Sequence, residues 1–431
     1  MSNSLLGERE ARINVNYLAT LDFIISLGFG LILPLFPIYV SRMGGGGLEV
    51  GILFASFVLT RALLAAPFGN LSDKIGRKRI ILIGSSLYAV LAVLFTVPED
   101  WWGLIFVRGF QGVASAMVWP VSEALVIDSS PVAKRGFSLS KIVLASNLGM
   151  MIGPFVGGAL FYTAFNILHF SETDSFKFPF YFTSVLAFGG FVMAWARVTD
   201  AKAPERAPSK MTFRKLLRPD GTDAQDRRNL KALYVNAMME GFAFSSIGPL
   251  MVLFLSFRFT DLGADAISII IGSAMGVGAL FTLSAGRLAD KTSRKRQFVL
   301  GGYMAFIGTI LVPFGWTLWL IIAFLALRSL AFQVSAPALR ALQADTVPET
   351  VRGRLIGMLE SMSNFGSVLG APIGGVMWDY FHGRDLGFGT AFDGTVLPFL
   401  ISGILGLLAV TMVQMLVKER VPHVHPPEPD G

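Results

Sequence analysis

The chain has no cysteine and little charge. Of its 431 residues only 15% are charged and 53% are hydrophobic, whereas soluble domains carry about 25% charged residues. Without cysteine there are no disulfides, thiolate metal ligands or cysteine nucleophiles. The four histidines, His169, His382, His423 and His425, fall in predicted loops or in the tail. We therefore expect no metal site, no cofactor and no enzymatic activity.

Long uncharged apolar runs are present instead. Runs such as 80–97 and 396–416 are apolar on every face, which differs from the alternating strands of a membrane barrel. A helix crosses the bilayer core with about 20 apolar residues. The sequence therefore predicts an all-α membrane protein with spans 1 to 12 at residues 16–40, 49–68, 79–97, 102–123, 137–162, 179–196, 232–257, 267–285, 298–315, 317–338, 354–377 and 396–417. The first of these reads as a retained span and not as a cleaved signal.

The basic residues are distributed unevenly between the two sides of these spans. Most of the 36 lysines and arginines fall in the segments that share a side with both termini. Because cytoplasmic loops carry an excess of basic residues, both termini are predicted to be cytoplasmic, in a multi-pass protein of the cell (inner) membrane. The net charge of +7 then reflects this bias and attraction to anionic membrane lipids, and no nucleic-acid partner is expected.

A single long polar stretch divides the spans into two groups of six. The expected organisation is an N-terminal half (1–196), a cytoplasmic linker (197–231), a C-terminal half (232–417) and a cytoplasmic tail (418–431). Within the linker, residues 210–218 mix basic and apolar side chains. They form either an amphipathic helix on the membrane surface or a disordered tether.

The two halves repeat each other at an offset of 217 residues. GNLSDKIGRKR from Gly69 matches GRLADKTSRKR from Gly286, and SNLGMMIGPFVGG from Ser146 matches SNFGSVLGAPIGG from Ser363. Such a parallel repeat of six helices is the sequence sign of a transporter whose halves rock about a site near the membrane midplane.

Three segments carry a family resemblance. The loop from Gly69 to Arg79 resembles the signature of the major facilitator superfamily between spans 2 and 3, and RGFQG from Arg108 resembles its motif in span 4. The run from Gly149 to Gly158 is similar to the span-5 signature of its drug/proton antiporter branch, although Ser140 stands where that pattern begins with glycine. The resemblance implies twelve helices in two halves, transport by alternating access, and a monomer.

The resemblance also implies a conformational latch at the loop between spans 2 and 3. Asp73 would lie at the N-terminus of span 11, whose partial positive charge attracts a carboxylate, and Arg77 would pair with Asp128. Gly69 would let the end of span 2 approach its neighbour, and Gly76 belongs to the same latch. The set related by the repeat is Asp290, Arg294 and Asp345. The alternative is a solvated charge run that only signals topology.

Small residues recur at four-residue spacing on span 5. Gly149, Gly153 and Gly157 form a flat stripe that admits close backbone contact, together with Pro154 and Gly158. The resemblance places span 5 beside span 8 across the interface between the halves, so the stripe either controls this interface or serves ordinary helix packing.

Two carboxylates inside the spans are candidates for proton coupling. Asp22 on span 1 has a depth similar to that of Arg61 on span 2, and an ion pair would give Asp22 a structural role. Glu240 on span 7 lacks such a partner, because glycine occupies position 278, the repeat equivalent of Arg61. A carboxylate withdrawn from water without a cation binds a proton more readily. Glu240 is therefore the first candidate for the proton carrier and Asp22 the second.

Two arginines inside the spans leave alternatives open. Arg328 on span 10 has the repeat register of Gln111, and it either neutralises Glu240 or binds an anionic substrate with Gln111. Arg108 matches the span-4 motif that the family links with proton transfer in antiporters, so it belongs to the proton-coupling set unless it only makes structural hydrogen bonds.

Aromatic side chains are frequent on the spans expected to line the cavity. Phe29, Phe244 and Phe332 are the cavity candidates beside Gln111 and Arg328. Such a lining suits small amphipathic organic molecules, so the sequence predicts drug-like efflux in exchange for protons. The alternative is an anionic or lipid-like substrate held by Arg108 and Arg328, with no requirement for proton coupling.

Overall fold

The computed structural model describes residues 8–131, 134–201, 224–291, 293–345, 349–384 and 393–418. These residues are almost entirely helical. The helices are α1 (Glu8–Ile32), α2 (Leu35–Arg42), α3 (Gly47–Ile75), α4 (Arg77–Leu94), α5 (Trp101–Ser129), α6 (Arg135–Tyr162), α7 (Glu172–Arg197), α8 (Ala224–Arg258), α9 (Ala264–Lys291), α10 (Arg294–Leu311), α11 (Leu318–Asp345), α12 (Glu349–Phe381) and α13 (Val396–Leu416).

The predicted all-α membrane architecture is confirmed. Nine of the described helices are long and apolar enough to cross a bilayer, one of them α1. Helices α4, α9 and α12 supply three further passes, and α2 completes the first, so the described chain makes twelve passes. Spans 2 to 12 correspond to α3 to α13.

Span 1 is broken where the sequence predicts one continuous helix. Helix α1 ends at Ile32 and α2 begins at Leu35, after a turn that contains Pro34. Proline lacks the backbone N–H that would continue the helical hydrogen bonds, and its ring clashes with the preceding turn. The buried segment Leu35–Val40 therefore forms a separate short helix, which packs against α8 and α3.

The last helix of each half is joined to the first by an asparagine. Asn14 Nδ2 donates to the Thr199 carbonyl oxygen, and the Thr199 N–H donates to Asn14 Oδ1, both at 3.0 Å. In the other half, Asn229 Nδ2 donates to the Lys418 carbonyl oxygen at 2.9 Å and Oδ1 accepts from the Lys418 N–H at 3.0 Å. We call these the asparagine clasps, and the face of the molecule that carries both of them the terminal face. The opposite face is the distal face.

The second clasp explains a difference from the expected linker. Helix α8 begins at Ala224, so residues 224–231, expected in the linker, continue the helix up to the clasp at Asn229. Residues 202–223, which include the expected amphipathic segment, lie outside the described residues.

The two halves meet through two helix pairs, α3 with α12 and α6 with α9. Near the distal face one apolar core joins both halves, with Phe36 and Leu53 of the first half beside Leu253, Phe254 and Trp378 of the second. Toward the terminal face, the described side chains form a separate core in each half. The described side chains thus close the molecule at its distal face and leave the halves parted at its terminal face.

Candidate functional site

Glu240 lies on α8, half-buried, one helical turn before Phe244. Residues four apart on a helix share a face, so the carboxylate and the ring of Phe244 point to the same side. Among the described residues, no arginine, lysine or histidine forms an ion pair with Glu240. The structure therefore presents Glu240 as an unpaired carboxylate beside an aromatic ring.

Arg328 does not neutralise Glu240 in this conformation. Its Nε donates to Thr309 Oγ1 at 3.0 Å, and its guanidinium carbon lies 5.7 Å from the centre of the Phe244 ring. The ring of Phe244 is about half exposed (48%) and lies 5.9 Å from that of Phe332, measured between ring centres. Arg328 and the two rings thus form one wall of the site, and Arg328 forms no ion pair with Glu240 among the described residues.

Arg108 on α5 is enclosed by aromatic rings. It is only 2% exposed, and its Nη1 donates to Gln111 Oε1 at 2.5 Å. Four ring centres lie 4.9 to 5.9 Å from its guanidinium carbon, those of Phe29, Phe36, Phe54 and Phe57. The faces of the rings attract the cation. We call this arrangement the arginine cage.

The arginine cage corrects the expectation for Gln111 in the cavity. Gln111 is 3% exposed and its side-chain oxygen accepts from Arg108, so Gln111 is not presented to a substrate in this conformation. Phe29 packs on Arg108 and also on Phe57 and Trp119. Both residues therefore support Arg108 within the N-terminal half.

The expected ion pair between Asp22 and Arg61 is absent. Asp22 on α1 is fully buried, whereas the guanidinium carbon of Arg61 lies 5.2 Å from the centre of the Trp119 ring. An aromatic face takes the place of the carboxylate as the neighbour of this arginine. Asp22 thus remains a second buried carboxylate without a salt bridge.

Arg77 is the centre of the expected latch. Its Nη2 lies 2.9 Å from Asp73 Oδ1, and its Nε lies 2.5 Å from Asp128 Oδ2. Gly76 adopts a φ of +104°, a backbone conformation that residues with a side chain rarely adopt. A Cβ there would also overlap the carboxylate of Asp200. Asp200 accepts from the backbone N–H groups of Arg77 at 3.1 Å and Lys78 at 3.4 Å, and so caps the start of α4.

One part of the latch, Gly69, differs from expectation. Asp73 pairs with Arg77 in its own loop, while the side chains at the start of α12, its expected partner, lie outside the described part of the chain. A Cβ built on Gly69 meets no atom within 4 Å. Gly69 therefore makes no close helix approach while the terminal face is parted. In the repeat-related set, the side chains of Asp290 and Asp345 are outside the described residues, and Arg294 begins α10.

The glycine stripe of α6 packs mainly within its own half. A Cβ on Gly149 would lie 2.5 Å from the Phe23 carbonyl oxygen, and one on Gly153 would lie 2.5 Å from the Gly30 carbonyl carbon. A Cβ on Gly157 would overlap the Leu31 carbonyl oxygen. These three glycines therefore bring α6 against α1, which agrees with the second alternative, ordinary helix packing.

The contact between halves uses the neighbouring residues of the stripe. A Cβ on Gly158 would lie 2.9 Å from the Asp265 carbonyl oxygen, and Pro154 contacts the position of Gly272 on α9. Successive side-chain positions on a helix point about 100° apart. The three glycines of α6 therefore face α1, while the adjacent positions Pro154 and Gly158 face α9.

The chain matches the family model of the Major Facilitator Superfamily at residues 18–224 and 233–431. It belongs to this superfamily. It is therefore a multi-pass membrane transporter and not an enzyme, as the sequence predicts. Within the described residues, no group of three or more His, Asp or Glu side chains is placed to hold a metal ion.

Known relatives extend this result. Multidrug resistance protein 2 of Bacillus subtilis is 26% identical, with 83% of this chain and 86% of that protein covered. Quinolone resistance protein NorA of Staphylococcus aureus is 26% identical, with 83% and 88% covered. A solved bacterial homolog of the human lysosomal transporter Spinster, inward-facing and occupied, shares the fold with a TM-score of 0.77 at 15% identity, covering 95% of this chain and 97% of that one.

Proposed function

We propose that the protein exports small amphipathic organic molecules in exchange for protons, and that Glu240 carries the proton. The observation that carries the proposal is a carboxylate inside a membrane span that forms no ion pair among the described residues, one turn from the half-exposed ring of Phe244. Ionisable groups within spans are costly and characteristically functional. A carboxylate beside aromatic rings attracts a lipophilic cation or, when protonated, releases it.

The two resistance proteins support the substrate class. Their names attribute multidrug and quinolone resistance to them, and we extend drug-like efflux to this chain. Asp22 is the second proton candidate, since it is buried without a salt bridge. The transporter works as a monomer in this proposal, with membrane lipid around it.

The orientation in the membrane is part of the proposal. The terminal face carries the basic loops that include Lys74, Arg77 and Lys78, so we assign it to the cytoplasm of the inner membrane. The parted face then opens to the cytoplasm, where an exporter collects its substrate.

The test is a liposome assay with an imposed pH gradient. Lipophilic cations, neutral amphiphiles and organic anions are added separately while the internal pH is followed. We expect a cation to trigger proton movement in the parent and in Glu172→Gln, a control that removes a glutamate at the distal face. Glu240→Gln abolishes this movement, and Glu240→Asp, which retains the carboxylate, restores part of it.

A failure of the assay has a specific meaning. If compounds cross the membrane without proton movement, the antiport proposal is wrong. If Glu240→Gln retains the coupled movement and Asp22→Asn loses it, the proton carrier is Asp22.

A second candidate substrate is an organic anion. Arg328 favours it, because its guanidinium lies beside the half-exposed Phe244 and Thr309 is its one hydrogen-bond partner among the described residues. Arg108 contributes nothing to such a site in this conformation, since the arginine cage encloses it. Salt-sensitive anion binding that disappears in Arg328→Ala would support this candidate, and indifference to the substitution would remove it.

A further inference from the structure

Helix α3 begins without a cap of its own. Its N-cap residue is Gly46, within the run Gly44–Gly47. Helix N-termini normally use a Ser, Thr, Asp or Asn side chain to accept from the first free backbone N–H groups, and glycine has none. Glu49 accepts from the Gly46 N–H at 2.7 Å, which leaves the N–H groups of Gly47 and Leu48.

The missing cap comes from the other half of the molecule. Asp379, near the end of α12, accepts from the Gly47 N–H through Oδ1 at 2.6 Å and from the Leu48 N–H through Oδ2 at 2.7 Å. Both carboxylate oxygens are therefore engaged by a helix more than 330 residues away in sequence. The positive end of the helix dipole adds to this attraction.

The backbones at this contact leave no room for side chains. A Cβ on Gly46 would lie 2.7 Å from Asp379 Oδ1, and one on Gly47 would lie 2.8 Å from Trp378 Cδ1. A Cβ on Gly375 would overlap the Gly47 carbonyl oxygen, and one on Gly51 the Ala371 carbonyl oxygen. The glycines that deprive α3 of a cap thus also admit α12 closely enough to provide one.

The repeat shows that this cap is particular to one helix pair. Gly375 corresponds to Gly158, and both glycines lie against the first turn of a helix in the opposite half. Asp379 corresponds to Tyr162, so the pair α6 and α9 has no equivalent carboxylate.

We propose that Asp379 is a positioning residue that keeps the distal face closed by capping α3 across the two halves. When the distal face opens, α3 and α12 separate there, and the two N–H groups lose their partner. The cap therefore favours the conformation that is closed at the distal face. This inference goes beyond the proposed function, since it depends on neither the substrate nor the proton carrier.

The experiment measures distances between the halves. Because the sequence has no cysteine, spin labels attach only where cysteines are introduced. One pair, Glu99→Cys with Trp316→Cys, reports the distal face, and another, Lys74→Cys with Arg296→Cys, reports the terminal face. Electron–electron resonance is recorded in nanodiscs without substrate or pH gradient.

The expected result is a population shift in Asp379→Ala. The distal pair moves toward longer distances and the terminal pair toward shorter ones, and the ratio of the two conformations changes about fivefold, as the loss of one helix cap implies. The control Glu172→Gln removes an ion pair with Arg42 at the distal face but within one half, and it leaves both distributions unchanged.

A second variant distinguishes closure of the distal face from the stability of helix α3. Gly46→Ser in the Asp379→Ala background gives α3 its own capping box, because Glu49 already stands three residues later. This double variant restores the helix cap but not the contact between halves, so we expect the population shift to persist. Unchanged distances in Asp379→Ala, or reversal of the shift by Gly46→Ser, would overturn the proposal. Loss of proton coupling in the liposome assay would leave it intact.

Discussion

The arginine cage shows how one charged residue is accommodated in an apolar interior. A buried guanidinium loses its hydration, and among the described residues no carboxylate pairs with Arg108. Four phenylalanine rings and the Gln111 oxygen replace the water. The rings come from both sides of the break at Pro34, since Phe29 lies on α1 and Phe36 on α2. Arg108 thus ties the two parts of the first span together.

Gly76 provides a test at the same scale. Its positive φ and the overlap of a Cβ with Asp200 predict that Gly76→Ala lowers the free energy of unfolding by about 1–3 kcal/mol. A Tm in detergent that is lower for Gly76→Ala than for the parent would confirm this prediction. Gly69→Ala is the matched control, because a Cβ there meets nothing and alanine stabilises a helix by about 0.5–1 kcal/mol relative to glycine.

Gly69→Ala also tests the opposite conformation. If span 2 approaches its neighbour when the terminal face closes, the variant keeps its Tm but loses transport. Full transport with an unchanged Tm would contradict a role of Gly69 in the latch.

At the scale of helices, the two halves repeat each other in packing as well as in sequence. Gly149, Gly153 and Gly157 place α6 on α1, and Gly366, Gly370 and Gly374 place α12 on α8 in the same way. Each half therefore holds this pair of helices in direct backbone contact. We expect each of these pairs to move as a unit, with the relative movement of the halves along the neighbouring faces.

The stripes predict matched effects in the two halves. Gly153→Ala and Gly370→Ala both force a Cβ into a backbone, and overpacking of this kind costs about 1–3 kcal/mol. Thermal unfolding in detergent measures both. Gly189→Ala on α7, where a Cβ meets nothing, is the control. A Tm as high for Gly153→Ala as for Gly189→Ala would contradict the packing described here.

The sequence predicts the elements better than their faces. The length of the apolar runs locates the spans, and the offset of 217 residues relates Gly158 to Gly375. The sequence did not show that three glycines of α6 face α1, because residue spacing shows which positions share a helix face and not which helix packs against that face. The caps by Asp200 and Asp379 were missed for the same reason, since each partner is more than 100 residues away. Pro34 was the available signal for the break in span 1.

At the scale of the whole molecule, the joined core near the distal face and the separate cores toward the terminal face define one end state of an alternating-access cycle. The conversion to the other state must break the contacts of Phe36, Phe254 and Trp378. If Gly69 serves the latch as predicted, the conversion also forms contacts at Gly69 that this state lacks.

The orientation is tested on intact cells with a membrane-impermeant thiol reagent. Glu99 is exposed at the distal face and Lys74 at the terminal face. We expect Glu99→Cys to react in intact cells and Lys74→Cys to react only after permeabilisation, since the chain has no other thiol. The reverse pattern would place the basic loops outside and invert the direction of export.

The asparagine clasps make each group of six helices a closed ring, in which the first helix is bonded to the segment after the last. Both clasps lie outside residues 202–223, the stretch that joins the two halves. A transporter cut there keeps both rings intact, so the two pieces, synthesised as separate polypeptides, are expected to fold individually and to reassemble.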